Sequence, residues 1–164
     1  MMPFPRLTPE SCRFWLDVRH ESQELKQLAS DAIDAYKSAA ANPNSSASLE
    51  YLHFAAVHPS VVVWDPGLSM LSQLCKSFHL ARQKIELLST DRKAEIRRRS
   101  IQYLVDSYPR AFCVGIFQAL QLDRSAKVRG LAASQVEGLG LKDLLPNLEN
   151  TLAVEHNETA QFCT

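Results

Sequence analysis

The chain has 164 residues, 46% of them hydrophobic and 22% charged, the make-up of an ordinary globular domain with enough length to bury a core. Its 18 basic and 18 acidic residues cancel, so no whole-molecule field draws in nucleic acid or an anionic membrane, and charge recognition must come from local patches. No apolar run approaches the ~20 residues of a membrane span, and Met1–Arg6 lacks the basic and apolar regions of a secretory leader. A cytoplasmic protein, or a nuclear one, is the expectation. Cys12, Cys75, Cys113 and Cys163 never form a C-x-x-C pair, so they read as reduced thiols acting as small hydrophobes.

Five glycines and one β-branched cluster, Val61–Val63, favour helix over sheet. Thr8 followed by Pro9 predicts a helix start, with Thr8 as N-cap. Trp15, Val18, Leu25, Leu28, Ala32, Ile33, Tyr36 and Ala39 then fall on one stripe, which predicts one long amphipathic helix to about Ala40, or two broken near His20–Ser22. Asn42–Ser46 is a loop by composition, and a short helix from about Ala47 to Val57 follows. His58–Gly67 reads as a connection or irregular helix start, with Asp65 capping a new helix at Pro66. Leu68–Leu88 is helical, with a bend near His79.

The second half repeats itself. Shifted by 32 residues without gaps, Asp91, Arg92, Ala94, Arg97 and Leu120 meet Asp123, Arg124, Ala126, Arg129 and Leu152 as identities. Ile96, Leu104 and Ile116 meet Val128, Val136 and Leu148 as apolar equivalents. A period of this size marks a repeated supersecondary unit. Asp91 and Asp123 are placed to cap the first helix of each copy, and breaks at Ser107–Pro109 and Gly138–Gly140 separate it from second helices at about 109–122 and 142–154. Each copy reads as a helical hairpin whose apolar face is covered only by a stacked neighbour.

The run D-R-S-A-K-V-R-G-L-A-A from Asp123 to Ala133, followed by Gly-Leu-Gly and Leu-Leu-Pro-Asn-Leu, resembles a HEAT repeat. Its short period is similar to the class shared with phycobilisome lyase subunits. The resemblance covers Asp123–Val154 specifically, Asp91–Leu122 fairly and His58–Thr90 weakly. It implies structural roles for Asp91 with Arg97 and for Asp123 with Arg129, capping helices and tying adjacent repeats. It also implies an all-α fold, a right-handed α-solenoid of four to five hairpins in a single domain. Residues 1–57 would form the N-terminal helices or cap, with the long helix as the cap. A degenerate repeat would span 58–90, two HEAT-like repeats 91–122 and 123–154, and an incomplete repeat or tail 155–164.

Catalytic patterns are absent. No phosphate loop or nucleophile elbow occurs, and His20, His53, His58, His79 and His156 never stand three or four residues apart, so no metal or other cofactor is expected. Trp15 and Trp64 read as core residues rather than the aromatic walls a HEAT-like DNA glycosylase would need. The strongest local feature is basic: Asp91–Arg129 holds nine basic and four acidic residues. Consecutive Arg97, Arg98 and Arg99 fan across about 200° of helix and cannot share one ligand, and Glu95 is spaced to pair with Arg99. The expected function is a non-catalytic protein-binding scaffold using Arg92, Lys93, Arg98, Arg124 and Lys127. Two further readings are nucleic-acid association through the same edge, and self-association through the C-terminal repeat.

Overall fold

The computed structural model describes residues 8–42, 45–104, 108–141 and 144. Among these residues all regular structure is helical: α1 (Pro9–Val18), α2 (Gln23–Ala41), α3 (Ser46–Val57), α4 (Val61–Leu74), α5 (His79–Ser89), α6 (Ala94–Gln102), α7 (Arg110–Gln121) and α8 (Ala126–Gly138). The all-α expectation is met. No described helix is long and apolar enough to cross a membrane. The chain divides into two compact units, Met1–Asp91 and Arg92–Thr164. The second helix expected at about 142–154, the tail 155–164, Cys163 and His156 lie outside the described residues, Leu144 apart.

In the first unit, Thr8 caps α1 as expected, its hydroxyl accepting the Ser11 N–H, with Pro9 at the first helical position. The chain breaks after Val18 and Ser22 caps α2 through the Leu25 N–H, so the two-helix alternative holds. That break overturns one expectation. A continuous helix would carry Trp15 and Val18 on the stripe of Leu25 and Ala32. With the phase reset at residues 19–22, α1 instead buries Cys12 and Leu16, and leaves Trp15 50% and Phe14 65% exposed. The Arg19 guanidinium lies 5.6 Å from the Trp15 ring centroid, which gives the aromatic face a cation rather than a core partner. Trp64 is half-buried.

A second correction concerns Pro66. Val61–Val63 form the first turn of α4, and the helix runs on through Asp65 and Pro66 without the expected new start. A proline inside a helix costs about 3 kcal/mol through its missing N–H and ring clash. Burial outweighs that cost, since Val62, Val63, Leu68, Met70, Leu71 and Leu74 are all sequestered, each worth about 1.5–3 kcal/mol. α4 is the centre of its unit and packs on α1, α2, α3 and α5. Gly67 makes the closest approach possible: a Cβ there would stand 2.6 Å from the Ala55 Cβ on α3. The glycine lets two helix backbones touch.

In the second unit, α8 packs against both α6 and α7. The aspartates do not serve as N-caps. α6 and α8 begin after Lys93 and Ser125, two residues beyond Asp91 and Asp123. α8 ends at a glycine C-cap: Gly140 has φ +64°, the Gly140 and Leu141 N–H groups donate to the Glu137 and Val136 carbonyls, and Leu141 and Val136 are both buried.

Candidate interaction edge

The chemistry of the second unit centres on the loops that enter α6 and α8. Arg97, on the first turn of α6, sends Nε to Asp123 Oδ2 at 2.6 Å and Nη2 to Asp123 Oδ1 at 2.7 Å. Both side chains are buried, 6% and 7% exposed. A two-pronged guanidinium–carboxylate pair fixes direction as well as distance. The carboxylate also accepts the Ser125 N–H at 2.8 Å. Asp123 therefore organises the start of α8 by holding the main chain of Ser125, the residue at the N-cap position, while both of its oxygens also accept from Arg97. The Arg97 guanidinium holds the Asp123 carboxyl below its ordinary value against the opposing effect of burial, with the Ser125 N–H reinforcing it.

Main-chain oxygens take the next set of donors. Arg97 Nη1 donates to the Arg92 carbonyl at 3.1 Å, and Arg129 Nη1 donates to the Asp123 carbonyl at 2.6 Å. In each copy the repeat arginine thus turns back to the loop that opens its helix. Arg124 Nη2 donates to the same Arg92 carbonyl at 2.6 Å, linking two residues one period of 32 apart. The two D-R loops are hydrogen-bonded to each other.

The three consecutive arginines separate as their helical fan requires. Arg97 and Arg99 are buried and Arg98 half-buried. Glu95 gathers two of them: Arg98 Nε and Nη2 reach its two oxygens at 2.9 Å, and Arg99 Nε reaches Oε1 at 3.3 Å. The Glu95 carboxyl is held below its ordinary value first by Arg98, with Arg99 adding to it. The sequence spacing identifies the Arg99 pair; the Arg98 pair is an addition. Of the five cations assigned to a partner surface, Arg92, Lys93, Arg124 and Lys127 are exposed, whereas Arg98 is already clamped on Glu95.

One exposed residue on this edge has no counterpart in the sequence reading. Leu122, immediately before Asp123, is 79% exposed. Its signal is weak but present: α7 buries Cys113, Ile116, Phe117 and Leu120 on one face, and Leu122 stands about 200° round the helix from Leu120.

Elsewhere, Cys12, Cys75 and Cys113 are buried thiols, and burial pushes the Cys12 thiol up to about 12. His20 and His79 are exposed and His53 and His58 half-buried. Among the described residues no three His, Cys, Asp or Glu side chains converge to hold a metal ion. Neither family models, nor curated proteins, nor solved structures match this chain.

Proposed function

We propose that the chain is a non-catalytic scaffold of HEAT-like helical hairpins, stacked as a right-handed α-solenoid, that binds a protein partner along the edge bearing Arg92, Lys93, Arg124 and Lys127. The observation that carries this reading is the hydrogen bond from Arg124 to the Arg92 carbonyl. It holds two loops, 32 residues apart in sequence, as one surface. The acids nearest the helices are already engaged: Asp123 is spent on Arg97, and Glu95 is shared by Arg98 and Arg99. The outer cations are exposed and positioned by those internal contacts, an arrangement suited to recognition by complementary charge.

A photoreactive residue in place of Lys127, with one in place of exposed Gln23 as control, tests this in extract of the native cell. The expected result is a protein adduct at position 127 that disappears when Arg92 and Arg124 are changed to Glu. Adducts to nucleic acid at 127 would favour association with a polyphosphate backbone instead, and its steep salt dependence would identify it.

A further inference from the structure

We infer that the partner segment is both acidic and apolar: a peptide whose carboxylates face the cations of the D-R loops and whose aliphatic side chain covers Leu122. This rests on the proposed partner edge and adds the chemistry of what it takes.

Leu122 is the most exposed of the large hydrophobic side chains in the described residues, at 79%. It is not displayed on a loose loop. Its own N–H donates to the Ala119 carbonyl at 3.2 Å, and the next N–H, of Asp123, donates to the Leu120 carbonyl at 3.2 Å. The Asp123 side chain is then locked by two bonds from Arg97 and one from Ser125. The backbone under Leu122 is thereby fixed on both sides, so little freedom is lost when a partner closes on it. Two residues on, Arg124 is exposed with its guanidinium tied to the Arg92 carbonyl, and Lys127 is exposed on the first turn of α8.

An apolar knob beside cations selects its ligand by combination. A phosphate backbone satisfies Arg92, Arg124 and Lys127 but has no apolar group to set against an aliphatic side chain. An uncharged apolar peptide covers Leu122 but leaves the cations facing nothing. A segment with carboxylates flanking a Leu, Ile or Val satisfies both, with an apolar contact at the centre and a charged rim around it. Asp123 and Glu95 do not compete, because both are held by arginines of the same unit.

Fluorescence anisotropy of dye-labelled probes on the full chain tests the assignment. The probes are a short glutamate peptide with leucine once per turn, the same peptide with serine in place of leucine, and single-stranded DNA of similar charge. The leucine peptide is expected to bind about tenfold or more tighter than the serine peptide. Leu122→Ser should erase that difference while leaving thermal melting unchanged, and the paired change Arg92→Glu with Lys127→Glu should weaken both peptides. If the two peptides bind alike and Leu122→Ser changes nothing, the apolar part of the inference is wrong while the cationic edge stands. DNA binding tighter than either peptide overturns the inference in favour of phosphates. If no probe distinguishes the parent from the charge-reversed variant, the edge itself is not the binding surface.

Discussion

In the first unit two helices meet backbone to backbone, Gly67 of α4 against Ala55 of α3, and the helix at the centre is sequestered on nearly every side. In the second unit α6 is tied to the loop entering α8 by a buried guanidinium–carboxylate pair, and arginines hold main-chain oxygens at both loop starts. The first kind of contact is non-directional and depends on volume. The second is directional and depends on protonation. Apolar packing holds α4 in place; charge sets where α6 and α8 stand in register, and it places cations at the rim while doing so.

The contrast is open to breaking. The largest expected effect is Asp123→Ala, which leaves the Arg97 charge buried without its carboxylate and should cost about 3–5 kcal/mol. Hydrogen exchange should show it in α6 and α8, with α3 and α4 unchanged. Replacing both partners, Arg97→Met with Asp123→Leu, should recover much of that loss; if it does not, the pair contributes more than mutual compensation. Next comes Gly67→Ala, where the added methyl overlaps Ala55 and should cost about 1–3 kcal/mol, read as faster exchange in α3 and α4 with α6 and α8 unchanged.

Acid distinguishes the units by where each begins to lose stability. His53 sits on α3 with a buried Nδ1 that has no hydrogen-bond partner. Its pKa is lowered from the ordinary 6.5, first by burial and then by Lys84. A depressed imidazole favours the neutral form when folded, so this contribution is present above about 6.5 and is lost as pH falls through the folded value. Glu50 and Asp91 oppose the shift, which keeps the effect moderate. The Asp123 carboxyl is depressed below 3.8, so its contribution persists to lower pH and is lost only as pH falls through that lower folded value. Exchange followed from pH 7 downward should loosen α3 first, and His53→Leu should remove that first step alone. The smallest effect is expected at the rim: Lys127→Glu should alter stability by no more than about 0.5 kcal/mol.

Much of the helix plan was legible because it depends on local chemistry. The Thr8 cap, the start of α5 near His79 and the glycine stop at Gly140 are each written within a few neighbouring residues, whereas the break near His20–Ser22 was one of two alternatives the local pattern allowed. The failures share a different character. Pro66 looks like a helix start until the burial of α4 against its neighbours is known. Trp15 looks like core only if the helix continues through residues 19–22, and one break redirects its whole face. Asp123 is suited both to capping a helix and to pairing with an arginine; the choice is made by Arg97, 26 residues earlier. The candidate edge was legible as a charge pattern, whereas the clamping of Arg98 on Glu95 and the exposure of Leu122 depend on side-chain geometry at a helix start and a helix end.

The Arg92 carbonyl receives donors from both Arg97 and Arg124, so the junction of the two loops is built on a peptide oxygen and not on a side chain. Every amino acid carries that oxygen. The identity of residue 92 is therefore uncoupled from the architecture that presents it: an acid, an amide or an aromatic there should ride on the same junction. Only a change to the acceptor itself, such as an ester in place of the following amide, should loosen it. Position 92 is thus an interchangeable tip on a fixed mount, whose side chain can be changed without redesigning the fold beneath.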